Sequence, residues 1–274
     1  MIIDKNGLKY FVFENLTAAG VRHCFSSRIG GVSGGVYSSL NLGLNNGDDA
    51  AAVRENFERI CGAACFDINN VIVSNQKHGI IVEKIDVAFG EMRQLADEAD
   101  GLMTDKPNIV LTTYYADCVP LLFYDKNSGA VANAHAGWRG CADDMAGAAV
   151  AAMVKEYATC AKDLLVGIGP SICKGCFEVD KDVADKFKKQ LPFSDKFVYN
   201  SIDKQNKYHV DLWQVCRGSL LAAGVLQENI EIAGLCTYEL DELFFSHRRD
   251  GMPRGNMIGM IETNDKKGKR DFGD

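Results

Sequence analysis

The sequence predicts an α/β fold in a single domain spanning residues 1–274, and two patterns carry that expectation. Three short apolar runs follow one another at 109–113, 119–124 and 130–134, separated by polar or turn residues and rich in β-formers. Then the period changes. Met145, Ala148, Ala149, Ala152 and Met153 share one face at 3.6-residue spacing, which predicts an alanine-rich helix over 141–157 packed closely on a sheet. No linker, internal repeat or low-complexity block interrupts the chain, and 274 residues with 47% hydrophobic content suffice for a large core.

The flanking segments extend the alternation. Residues 10–13 and 21–25 read as strands of one sheet joined by a turn at 17–20, with His23 as a partly buried structural histidine. The glycine-rich stretch 28–37 lacks both the Lys-Ser/Thr ending of a P-loop and the Rossmann spacing, so it reads as a flexible loop. Asp48 or Asp49 then caps a helix over 50–61. Strands at 71–73 and 80–82 flank a sharp, hairpin-like loop that carries His78. A buried strand at 164–170 ends in Gly169-Pro170, and helices follow at 180–189 and 211–223, the second capped by Asp211 and stopped by Gly224. A strand at 230–233, an apolar run at 243–250 ending in Arg248 and Arg249, and a strand at 256–261 complete the chain.

A net charge of −7 argues against nucleic-acid or anionic-membrane partners, the basic stretch at 266–270 being read as a short solvated tail. The N-terminus lacks the pattern of a signal peptide, and no apolar run approaches the roughly 18 residues of a membrane span. Ten cysteines in a chain without an export signal read as reduced thiols, which fits the cytoplasm. Cys173 and Cys176 form a Cys-x-x-Cys that suits half a zinc ribbon or a redox pair, yet the chain has no second such motif.

Chemistry concentrates where apolar runs end. Cys118 and His135 each lie at the end of a strand candidate, glycines follow His135, and His78 adds a second imidazole from a third segment. One thiol and two imidazoles leave an open fourth position on a tetrahedral zinc, as a catalytic site requires. The residues alone also leave open a buried Cys118, or a nucleophilic Cys118 with His135 as its base. Copper accepts the same ligands, but five histidines are too few for a multicopper laccase, and no blue-copper loop of Cys, His and Met surrounds Cys118. Arg139 and Arg248 would suit an anionic substrate, against the commoner reading of surface charges. Asn41 and Asp48 read on residues alone as ties between turns.

These segments carry a resemblance. Gln76-Lys77-His78-Gly79, Ala99-Asp100-Gly101-Leu102-Met103-Thr104, Ala116-Asp117-Cys118-Val119-Pro120, His135-Ala136-Gly137-Trp138-Arg139-Gly140, Gly169-Pro170-Ser171-Ile172 with Cys176-Phe177-Glu178-Val179, and Phe245-Ser246-His247-Arg248-Arg249 resemble the successive blocks of the YfiH or laccase-domain family, in the family's order. The resemblance implies an αββα-like sandwich with mixed sheets and a zinc held by His78, Cys118 and His135, copper staying possible on the ligand types alone. It also implies phosphorolysis of purine nucleosides (adenosine, inosine, methylthioadenosine) with adenosine deamination, so that nucleoside and phosphate are the small-molecule partners. On that reading Arg139, with Asn41 and Arg248, positions phosphate for attack at the ribose C1′, and Asp117 carries a proton or orients a ligand. Other activities stay open: a zinc amidohydrolase acting on a UDP-muramoyl amino acid, a copper polyphenol oxidase, or a metal-stabilised binding protein. Lys77 and Cys173 depart from the family pattern, and neither touches the proposed ligands His78, Cys118 and His135.

Overall fold

The computed structural model describes residues 1–263, so the basic stretch at 266–270 lies outside the described residues. In chain order the first strands are β1 (Ile2–Lys5), β2 (Leu8–Phe11), β3 (Arg22–Ser26), β4 (Val71–Asn75), β5 (Val82–Lys84), β6 (Arg93–Glu98), β7 (Gly101–Thr104) and β8 (Val110–Tyr115). Then come β9 (Val119–Asp125), β10 (Val131–Ala136), β11 (Leu164–Ile168), β12 (Glu178–Asp180), β13 (Val198–Asn200), β14 (Lys207–Val210), β15 (Ile230–Ile232) and β16 (Met257–Glu262). The helices are α1 (Glu14–Ala18), α2 (Ala50–Ala63), α3 (Trp138–Ala142), α4 (Met145–Tyr157), α5 (Lys181–Gln190), α6 (Leu212–Ala222) and α7 (His247–Asp250).

The strands form a seven-stranded sheet ordered β1-β2-β3-β16-β8-β4-β6, a six-stranded sheet ordered β15-β11-β9-β10-β7-β5, and a small sheet ordered β12-β14-β13. Both large sheets are mixed: β4 runs parallel to β8 and β6, β11 to β15 and β5 to β7, and the remaining pairs are antiparallel.

Three apolar clusters show how the layers stack. Val53, Phe57 and Ile60 of α2 pack on Val71, Val73, Val110, Ile258 and Met260, one face of the seven-stranded sheet. The other face presents Phe25, Ile72, Leu111 and Ile261 to Leu102, Leu122 and Val131 of the six-stranded sheet. The far face of that sheet meets α4 and α6 through Leu121, Phe123, Ala132, Met145, Ala149, Met153, Val215 and Leu220. The result is an αββα sandwich with mixed sheets. Strands covered on both faces have no solvated side to alternate with, so β9 and β10 read in the sequence as continuous apolar runs. One buried amide crosses the sheet interface: Asn133 Nδ2 of β10 donates to the carbonyls of Leu111 on β8 at 3.0 Å and Gly259 on β16 at 2.8 Å.

Several local expectations change. The predicted turn at 17–20 is the end of helix α1, with Gly20 at φ 74° closing it. The helix predicted over 141–157 is two, because Asp144 takes a left-handed φ of 67° and its carboxylate accepts the Gly147 N–H, which starts α4. The glycine-rich stretch at 28–37 has its backbone tied, Ser39 Oγ accepting the N–H groups of Gly30 and Gly31 and Asn56 Oδ1 that of Val32. The segments around His78 form no hairpin: β4 belongs to the seven-stranded sheet and β5 to the six-stranded one, so the loop crosses from one sheet to the other. All ten cysteines are free thiols. Among the described residues no helix is long and apolar enough to cross a membrane.

Candidate metal centre and cleft

The crossing loop delivers His78 to the strand ends that carry Cys118 and His135. The Cys118 Sγ and one ring nitrogen from each histidine lie within 4.8 Å of one another, and the two imidazoles meet edge to face at 4.9 Å between centroids. His135 is buried, Cys118 half-buried and His78 exposed, so the cluster has an inner wall and an open side. Gly137 makes room for it: a Cβ there would fall 2.6 Å from His78 Cδ2 and 3.4 Å from Cys118 Sγ. His78 and Asp117 both adopt left-handed backbone, at φ 62° and 81°, a costly conformation for non-glycine residues that persists only where surrounding contacts impose it.

Around His78 those contacts come largely from Asp100. Its carboxylate accepts the N–H groups of Lys77, His78 and Gly79 at 3.1, 2.9 and 2.7 Å and the Nδ1–H of His135 at 2.9 Å. Burial would raise the Asp100 pKa, but the bonds from His135 and from the loop N–H groups outweigh it and hold the group below the usual carboxylate range. With Nδ1 engaged, His135 turns its Nε2 to the cluster, the orientation that metal-binding histidines owe to a carboxylate partner. The Cys118 thiol is likewise tuned. Burial opposes its ionisation, yet the imidazoles of His135 and His78 beside it lower its pKa to about 6. Burial lowers the His135 pKa, but the Cys118 thiolate and Asp100 raise it to about 9. An ionised thiol, an oriented imidazole and a second imidazole together fit a borderline-soft cation such as zinc or copper.

The cluster lies in a cleft of about 420 Å³ lined by carboxamides, among them Asn45, Asn46, Gln76, Gln94 and Asn256, and by Tyr114, His247 and Arg254. Arg254 is the arginine that lines the cleft among the described residues. Burial lowers its pKa while Asp117 and Cys118 raise it, and its Nε donates to His247 Nδ1 at 3.4 Å. Burial and the Arg254 charge lower the His247 pKa in turn.

Of the residues singled out from sequence, the structure brings together His78, Cys118 and His135. The others stand differently. Arg139 is exposed on α3, its guanidinium 4.3 Å from the centroid of the Trp138 ring, and does not line the cleft. The Arg248 guanidinium donates to the carbonyls of Cys176 and Glu178, while its backbone N–H donates to Asp117. Asp117 also accepts the hydroxyls of Thr237 and Ser246, so its carboxylate pins two loops to the Cys118 turn. Asn41 is wholly buried and spends its amide on Gly43, Asn46, Asp48 and Asn256, the turn-tying arrangement, which places Asn46 and Asn256 at the cleft. Sequence reading gave no role to Asp100, His247 or Arg254. Asp100 and His247 stand inside blocks that carried the family resemblance, whereas Arg254, in a Pro-Arg-Gly turn, carries no local signal.

A four-layer sandwich with a Cys and two His gathered where loops leave its sheets defines a laccase-domain protein of the YfiH type. The chain belongs to the family described as multi-copper polyphenol oxidoreductase laccase, whose model matches residues 22–264. It is 34% identical over 264 residues to a protein of Bacteroides thetaiotaomicron named purine nucleoside phosphorylase, covering 94% of this chain and 96% of that one. It is 35% identical over 241 residues to adenosine deaminase RL5 from an unknown prokaryotic organism, covering 84% and 90%. The crystal structure of YlmD from Geobacillus stearothermophilus superposes with a TM-score of 0.86 at 32% identity, covering 96% of this chain and 98% of that one.

Proposed function

We propose that the chain is a zinc-dependent purine nucleoside phosphorylase that also deaminates adenosine, acting in the cleft of His78, Cys118 and His135. The observation that carries the reading is the conjunction, in one cleft, of the Cys–His₂ cluster, an arginine and several neutral amides. His78, Cys118 and His135 would hold a zinc ion, which would supply Lewis acidity. Gln76 spends its amide on the Tyr114 backbone, while Asn45, whose Nδ2 donates to Gln94, keeps an acceptor and Asn256, whose Oδ1 accepts from Arg254, keeps a donor for the edges of a purine or the hydroxyls of a ribose. Arg254 supplies a partly buried, permanently charged guanidinium for phosphate: its Nη1 donates to the Gly255 carbonyl and Asn256 Oδ1 and its Nε to His247, which holds it in place and leaves Nη2 for the anion. His247 stands beside it as a neutral imidazole able to accept or pass a proton at its ring nitrogens. Asp117 acts as a positioning residue, holding the Cys118 turn against the loops of Thr237 and Ser246. Arg139 and Arg248 sit outside the lining and contribute less to phosphate binding than Arg254.

The test is product analysis. Adenosine or inosine with phosphate should give free base and ribose 1-phosphate, and base release should largely stop without phosphate while adenosine deamination, which needs only water, continues. Arg254→Ala should weaken phosphate binding by about 2 kcal/mol, as for loss of a charge-assisted contact, and Arg139→Ala by much less. Base release equal in wild type and Cys118→Ala would assign it to a contaminant and sink the proposal. Phosphate-independent cleavage of a UDP-muramoyl amino acid, or oxygen consumption with a phenol, would replace it.

A further inference from the structure

Away from the cleft, a second set of metal-ligand side chains converges. Cys173, Cys176, Cys236 and Glu239 bring three Sγ atoms and a carboxylate oxygen within 4.8 Å of one another. Both Cys173 and Cys176 lie against Glu239 Oε1, at 3.4 and 3.3 Å. Cys236 is buried and accepts the Cys173 N–H at 3.3 Å, the kind of amide-to-sulfur bond that supports a thiolate. The backbone holds the arrangement independently of the side chains. Cys173 O accepts the N–H groups of Cys176 and Phe177, forming the tight turn of a Cys-x-x-Cys, and Ser171 pairs with Cys236 in a bridge flanked by bonds to Leu235 and Thr237.

We propose that Cys173, Cys176, Cys236 and Glu239 form a second, structural zinc site. Three sulfurs and one oxygen complete a tetrahedron, so this site is closed where the His78 cluster is open. A disulfide between Cys173 and Cys176 would use two of these groups and leave Cys236 and Glu239 without a purpose. On binding, each thiol gives its proton to solvent as its sulfur joins the metal, with no change of oxidation state. The ion fastens the turn after β11 to the loop after β15. That junction is tied to the turn that carries Cys118, since Thr237 donates to Asp117 at 2.6 Å.

Zinc titration of reduced, chelator-stripped, full-length protein decides the matter, read by elemental analysis after desalting and by cobalt(II) substitution. Wild type should hold about two equivalents, and Cys118→Ala and Cys173→Ser about one each. Cobalt in Cys118→Ala should keep the strong sulfur-to-metal charge-transfer absorption of a three-thiolate site, and cobalt in Cys173→Ser should show the weaker band of a one-thiolate site. Should Cys173→Ser fail to fold, the exposed Glu239→Gln serves instead, weakening the second equivalent about 10–100-fold. A wild-type equivalent count that Cys173→Ser leaves unchanged, Cys118→Ala with none, or a Glu239→Gln affinity equal to wild type overturns the proposal, whereas a single wild-type equivalent kept in Cys118→Ala and lost in Cys173→Ser supports it. So does ready formation of a Cys173–Cys176 disulfide in the zinc-loaded protein, because bound thiolates resist oxidation. No readout uses turnover, so failure of the phosphorylase reading leaves the result intact.

Discussion

Replacing Asp100 by asparagine removes one charge and almost no volume, yet it should damage both the fold and the metal centre. One carboxylate oxygen accepts from His78 N–H and His135 Nδ1–H, the other from Lys77 and Gly79 N–H. Whichever way the new amide turns, its NH₂ faces two donors. Hydrogen bonds to charged groups are worth about 1.5–3 kcal/mol each, so two lost bonds give about 3–6 kcal/mol. Gly79 is half-buried and Lys77 and His78 are exposed, so water replaces part of the loss and about 2–4 kcal/mol remains. The imidazole of His135 also loses the carboxylate that orients it and raises its basicity, which should weaken zinc binding about 10–100-fold. Urea unfolding of the metal-free protein measures the first quantity, and competition with a chromophoric chelator the second. A stability change within about 0.5 kcal/mol, the range of an ordinary surface substitution, together with unaltered zinc affinity, would refute the assignment of Asp100 as the organiser of the site.

Gly137→Ala places a Cβ 2.6 Å from His78 Cδ2, so His78 must move. Zinc affinity at the cleft should fall at least about tenfold with stability nearly unchanged, and wild-type affinity in chelator competition would show that His78 has slack. His23 is 5% exposed, accepts the Phe13 N–H at Nε2 and donates from Nδ1 to the Val21 carbonyl, an arrangement open only to the neutral ring. Burial lowers its pKa to about 4 from 6.5, so the unfolded chain binds the extra proton first, and stability should be unaffected above about pH 6.5 and drop by about 3 kcal/mol as pH falls towards 4. His23→Gln should lack this part of the pH slope in denaturant titrations, and an identical slope would exclude His23 as its source. Asn133→Ala removes the amide's bonds to the Leu111 and Gly259 carbonyls and the acceptor of the Thr113 and Tyr115 hydroxyls between the sheets, and should cost about 2–4 kcal/mol in urea unfolding, a loss under about 1 kcal/mol pointing to water in its place.

Much of this architecture is written locally. The strands β8, β9 and β10 are legible because burial on both faces demands unbroken apolar runs, and α2 and α6 because Asp49 and Asp211 cap them with side-chain bonds to the first N–H groups. The strand β6 escapes notice for the opposite reason: at a sheet edge it is largely exposed and polar, and backbone pairing with β4 makes it a strand. The reactive types at His78, Cys118 and His135 stand out because each sits at a strand end or turn. What the sequence by itself determined, then, is the layered alternation of elements and the residue types that chemistry requires. Tertiary structure alone decided that the His78 loop crosses between sheets, that Asp100 binds that loop to a ring 35 residues further on, and that Arg254 is the cation lining the cleft. It also brought Cys236, a lone cysteine in sequence, to the Cys173 turn 63 residues earlier. These are long-range pairings, fixed by sheet packing and by the need of buried polar groups for partners, and a partner distant in the chain leaves no periodicity or spacing to read.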